Sequence, residues 1–121
     1  MNNDSDSLGR RWAACPGFRW MPGMLRRFRG VPCRVTEDDL LSGIAYSAES
    51  VPDLSDPATL GCLLALVREA SRCPEAHVYY ATLTRLWVVR WGHEGRGERT
   101  VDGHTEAEAL VLALEVLGGE E

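Results

Sequence analysis

The sequence predicts an α+β fold, and three stretches predict it. Two carry helix signals: residues 53–72 (DLSDPATLGCLLALVREASR) and 105–117 (TEAEALVLALEVL). Between them, residues 77–91 are rich in β-branched and aromatic side chains, the composition of strands. The expected architecture is an N-terminal extended arm, a central buried helix, a three-strand antiparallel meander and a C-terminal helix. Residues 1–11 read as a disordered polar tail. Residues 12–121 read as a single α+β domain, with the arm and its short strands at 12–50 and the helix–meander–helix core at 53–118.

In the arm, Trp12, Phe18, Trp20, Met21, Met24, Leu25 and Phe28 are interleaved with arginines. Pro22-Gly23 predicts a type II turn, with proline at the second position and glycine supplying positive φ. A second turn is expected at 30–32, with extended pieces near 17–21 and 32–36. Arginine with aromatics suits phosphate contact plus base stacking. The competing reading folds Trp20, Met24 and Phe28 over the exposed side of the central helix, and the acidity of the whole chain favours it. Residues 35–56 are acidic through Glu37, Asp38, Asp39, Glu49, Asp53 and Asp56. A helical turn is expected at 38–41, stopped by Gly43, and a short strand at 44–47. This acidic stretch is either a solvated face or a mimic of a phosphate backbone.

The central helix is expected over 57–72. Asp56 is a natural N-cap, and Pro57 at the first helical position loses no hydrogen bond. Leu60, Leu63, Leu64 and Val67 form one apolar stripe, which Cys62, Leu66 and Ala70 widen. A helix apolar over so much of its girth is expected to be buried on more than one side. Pro74 ends it. Strands at 77–82 and 86–91 make a hairpin in which Trp87, Val89 and Trp91 share a face. The segment 92–97 (GHEGRG) reads as a hairpin loop, not a phosphate loop, because it lacks the required lysine and enters no helix. A third strand is expected near 98–101. Thr105 and Glu108 form a capping box for the last helix, and Gly118-Gly119 is its expected end.

Charge is segregated. Residues 1–34 hold seven arginines against Asp4 and Asp6, a net of +5. The rest holds six arginines against sixteen acids, a net of −10. A basic arm on an acidic body predicts either self-complementary packing or two different binding surfaces. The chain has no lysine, as a GC-rich coding genome would produce. No run of 18 apolar residues occurs, so no membrane span is expected. The N-terminus lacks the pattern of a signal peptide, so a cytoplasmic location is the expectation. The four cysteines make no CxxC pair and are expected to be reduced.

No nucleophile has an obvious base, and His93, His104 and Glu94 are the nearest approach to a metal triad, without a ligand of convincing spacing. The chain therefore reads as not an enzyme, with no cofactor. The segments at 52–70 (PDLSDPATLGCLLALVREA), 105–117 and 20–25 (WMPGML) resemble a group of small proteins from phages and prophages of GC-rich bacteria. That resemblance covers roughly half the chain and implies a phage context with no activity to carry over. The order helix–strand–strand–strand–helix is similar to the double-stranded RNA-binding domain, although acids stand here where that domain places lysines. Gly103, Thr105, Glu108, Ala109 and Leu110 also resemble the ending of HicB-type antitoxins.

These observations predict a non-catalytic phage accessory protein that binds a host protein. Its most concrete form is an inhibitor of bacterial antiviral defence, such as an anti-CRISPR protein. A nucleic-acid-binding module acting through the arm is the alternative, and a HicB-like antitoxin a further one. The expected partner contacts are Trp20, Arg26, Arg27, Arg29, Glu37, Asp38, Asp39, His93 and Arg96. A homodimer in which one copy's basic arm covers another's acidic body is the expected mode of self-association.

Overall fold

A computed structural model describes residues 3–15, 17–41, 50–93 and 96–119. The α+β class is observed. The order is α1 (Asn3–Ala13), β1 (Leu25–Phe28), β2 (Val31–Arg34), α2 (Glu37–Leu41), β3 (Ser50–Pro52), α3 (Pro57–Ser71), β4 (His77–Ala81), β5 (Leu86–His93), β6 (Arg96–Gly103) and α4 (Glu106–Gly119). Two three-stranded antiparallel sheets form, ordered β2-β1-β3 and β4-β5-β6. Only the second was expected as a sheet. The strand expected at 44–47 and its preceding glycine stop lie outside the described residues.

The polar stretch expected to be a tail forms α1 instead. Leu8 and Trp12, four residues apart, face the core, and Trp12 is fully buried. Gly9 lets the helix close on β3: a Cβ there would collide with the Val51 side chain and lie 2.8 Å from the Pro52 carbonyl oxygen. A polar helix this short is marginal in water. Its docking through Trp12 supplies what its own propensity lacks.

After α1, Pro22-Gly23 makes the expected turn, with Gly23 at φ 95° and Met24 N–H donating to Met21 O at 3.2 Å. The strand comes later than 17–21, because residues 17–21 instead lay Phe18, Trp20 and Met21 against the core. The second turn is a two-residue hairpin at Arg29 (φ 51°) and Gly30 (φ 80°), the geometry whose twist matches the flanking strands. Phe28 therefore pairs with Val31. It sits under the guanidinium groups of Arg26 and Arg29 and does not cover the central helix.

Both expected caps are present. Asp56 accepts from Thr59 N–H at 3.0 Å at the start of α3. Arg72, at φ 55°, closes its end by donating to the carbonyls of Arg68 and Glu69. Glu108 N–H donates to Thr105 Oγ1 at 3.0 Å, and Glu108 Oε1 accepts from His104 N–H at 3.1 Å. Helix α4 ends at Gly119, at the expected Gly118-Gly119 stop.

Of the expected stripe on α3, Leu63 and Val67 are fully inside and Leu66 is buried, Leu60, Cys62 and Leu64 are half-buried, and Ala70 is exposed. The many-sided burial expected of it falls more fully on α4, which meets α1, α3 and all three strands of the second sheet. Ala109, Leu110, Val111 and Ala113 are all inaccessible. Alanines make this possible by letting neighbouring backbones approach. Gly103 extends the effect, since a Cβ there would lie 2.8 Å from the Ala109 nitrogen. From the sheet, Val89 and Trp91 are buried and Trp87 is half-buried at the margin. The strands also run further than expected into GHEGRG, so that His93 pairs with Arg96 after a register shift near Gly92.

Candidate functional site

The expected contact residues fall into three places. Trp20, Arg26, Arg27 and Arg29 belong to the arm and its hairpin. Glu37, Asp38 and Asp39 lie on α2, directly after β2. His93 and Arg96 pair across the second sheet and share no element with the others; their side chains lie outside the described residues. The first two groups follow one another along the chain.

Within that stretch the arginines are already engaged. Arg27 Nε donates to Asp53 Oδ2 at 2.8 Å. Asp53 is buried, which works against its ionisation. The Ser55 hydroxyl and amide (2.6 and 3.0 Å) together with Arg27 overcome that and hold its carboxyl below the ordinary carboxylate range. Arg34 Nη1 donates to Asp56 Oδ2 at 2.6 Å, and that bond, with Thr59, lowers the Asp56 carboxyl as well. Thr59 Oγ1 in turn accepts from Leu25 N–H at 2.8 Å, so the cap of α3 is tied to β1. Arg19 forms a two-pronged pair with Glu69, and Arg11 one with Glu115. Arg26 donates to Ser50 Oγ at 3.1 Å. Trp20 is half-buried, edge-on to Phe18.

Four of the ion pairs therefore join the basic N-terminal segment to the acidic remainder: Arg11–Glu115, Arg19–Glu69, Arg27–Asp53 and Arg34–Asp56. The complementarity expected between two copies is formed inside one. Sequence reasoning missed the acids that receive the arginines. The charge segregation was the signal that such receivers exist.

The acids of α2 are placed differently. Asp39 is drawn inward, where its carboxylate accepts from Thr36 N–H at 3.3 Å and its own N–H donates to Thr36 Oγ1 at 3.1 Å. Glu37 and Asp38 stay exposed, with no described counterion, and Leu41 beside them is 77% exposed. The result is a short acidic helix with an uncovered leucine.

Among the described residues, two clefts open on the surface. One of about 730 Å³ lies between α1, the start of α3 and the start of α4, with Ser7, Arg11, Ser55, His104 and Glu108 among its lining. Of its charged groups, Arg11 pairs with Glu115 and Glu108 caps α4, while Glu106 also lines the cleft. The other, about 260 Å³, is lined by apolar and polar groups alike, among them Trp12, Phe18, Leu66, Leu117, Glu69 and Arg72, and includes Cys15. Burial pushes the Cys15 thiol up, away from the reactive thiolate form. Among the described residues, no group of three His, Cys, Asp or Glu side chains is placed to hold a metal, and no helix is long and apolar enough to cross a membrane. No protein-family model, curated protein or solved structure matches the chain.

Proposed function

We propose that this chain is a non-catalytic binding protein whose partner is another protein, reached through the acidic helix α2. The observation that carries this reading is the internal pairing of the arginine arm. Arginines 11, 19, 27 and 34 hold the chain's own acids, so they present little free positive charge to a phosphate backbone. Glu37 and Asp38 remain outside with Leu41. A surface of that kind fits a basic patch with an apolar centre on a partner, where opposite charge steers the encounter. The sharpest form of the proposal, motivated by the sequence resemblance, is a phage accessory factor that occupies a basic groove of a host defence protein.

The test is capture of partners from nuclease-treated lysate of a GC-rich bacterium, followed by mass spectrometry, with E37R/D38R as the matched control. A stoichiometric protein partner that the control fails to capture supports the reading. Partners that vanish with nuclease, together with salt-sensitive binding of plain DNA or RNA, would replace it with the nucleic-acid reading.

A further inference from the structure

Helix α1 is attached to the rest of the chain at few points. Among its described side chains, Leu8 and Trp12 reach the core, and Gly9 lies against β3. Arg11 adds one ion pair, with Glu115, at the surface. Clefts of about 730 and 260 Å³ open against this part of the chain, one lined by Leu8 and Arg11 and the other by Trp12 and Cys15. Trp12 is fully buried, yet its indole N–H has no hydrogen-bond acceptor among the described residues. A buried donor without an acceptor is a cost that water removes when it arrives. The remainder of the fold depends on α1 much less. Leu63, Val67, Val89, Trp91, Leu110 and Val111 are buried among α3, α4 and the second sheet, and β3 is hydrogen-bonded to β1 along its other side.

We propose that α1 is a latch, which undocks from β3 and α4 as a unit while the rest of the fold stays closed. Opening hydrates the Trp12 indole and frees a helix too short and polar to persist alone. It uncovers the outer edge of β3, which the closed chain hides behind Gly9. An uncovered strand edge offers unpaired N–H and C=O groups to another chain. The latch therefore withholds that edge until it opens. Elements that open below the cost of global unfolding are the ones proteins use as switches. The latch does not depend on partner binding through α2.

Two buried thiols distinguish opening of the latch from opening of the whole chain. Cys15 follows α1 directly, and its Sγ donates to the Arg11 carbonyl at 3.4 Å. It loses its cover when α1 leaves. Cys73 follows α3, with its Sγ 3.9 Å from the Gly92 carbonyl of β5. It stays covered as long as α3 and the second sheet hold together.

The experiment is labelling of the full chain by an aromatic disulfide reagent under native conditions, read by mass spectrometry of the labelled peptides. The chain carries Cys33→Ser and Cys62→Ser, which leaves Cys15 and Cys73 as its thiols. Cys15 should react at least about tenfold faster than Cys73, because its opening is the cheaper one. Val89→Ala loosens the second sheet and accelerates Cys73, but it leaves Cys15 unchanged, since Val89 stays packed when α1 opens. Gly9→Ala presses on the Pro52 carbonyl oxygen and accelerates Cys15 by about tenfold. Equal rates for the two thiols overturn the proposal. So does acceleration of Cys15 by Val89→Ala, which would mean that the chain opens only as a whole. A Cys15 rate indifferent to Gly9→Ala overturns it too, because the thiol is then reached with α1 in place.

Discussion

The two sheets of this molecule are held by different forces. The second is covered by α4, and its inner face is sealed by Val89 and Trp91 against Leu110, Val111 and Ala113. The first is covered at β3, which is buried under α1, but β2 is exposed along its whole length. It is held by its pairing to β1, by α1 closing on β3, and by Arg27–Asp53 and Arg34–Asp56, which fasten it to the cap of α3. Non-directional burial secures one region and directional polar bonds secure the other. The burial-held sheet tolerates small displacements, whereas the sheet held by polar bonds depends on a few atoms being present and ionised.

The largest break falls in the apolar region. Leu110→Ala removes a fully buried side chain from the helix that meets α1, α3 and the second sheet, and should cost about 2–5 kcal/mol, read as a lowered thermal midpoint. Gly9→Ala attacks the junction of α1 and β3. Alanine favours a helix by about 1 kcal/mol, but its methyl would press on the Pro52 backbone oxygen, which cannot step aside. The clash wins, with a net loss of about 1–3 kcal/mol and a change in tryptophan emission as Trp12 leaves its site. Arg27→Ala should cost about 1–2 kcal/mol, because it strips a donor from a carboxylate whose side chain is 5% exposed. Chemical denaturation measures it, and R27K should recover only part of it, since lysine cannot offer the same planar donor.

Acid separates the two regions without mutation. The carboxyls of Asp53, Asp56, Glu69 and Glu115 are lowered in the folded chain. A lowered carboxyl contributes stability that is fully present above its unfolded value and is lost as pH falls through its folded value. The ordinary values are 3.8 for Asp and 4.5 for Glu. Loosening should therefore begin as pH drops below that range, and amide exchange should show β1–β3 opening before β4–β6. The smallest effect is expected at α2: Glu37→Ala with Asp38→Ala should move stability by less than about 0.5 kcal/mol while abolishing partner capture.

This division also explains what could be read from the chain. The capping residues Asp56, Thr105 and Glu108 act on amides within a few positions, so their meaning is local and legible. The hairpin at 77–91 is legible for the same reason, since its strands meet across a short turn. Helix α1 is not, because its information resides in Gly9, whose role exists only once Val51 and Pro52 arrive from the far end of the sheet. The arm was legible as arginine and aromatic, but not as self-paired. Arg27 and Asp53 become neighbours only after β1 and β3 align. The HicB-like run at 103–110 likewise has a packing cause here, the close approach of Gly103 to Ala109.

The hairpin turn leaves one further consequence. Arg29, Arg72 and Arg85 are the non-glycine residues at positive φ among those described, and all three are arginines. A left-handed backbone costs an ordinary residue about 1 kcal/mol or more that glycine does not lose. In the genetic code every arginine codon lies one base change from a glycine codon. Relief is therefore a single mutational step away at each of the three positions. A library selected for heat resistance alone should accumulate glycine at 29 and 72. At 85, where the backbone N–H closes the turn on the Ala81 carbonyl at 2.8 Å, glycine should accumulate as well.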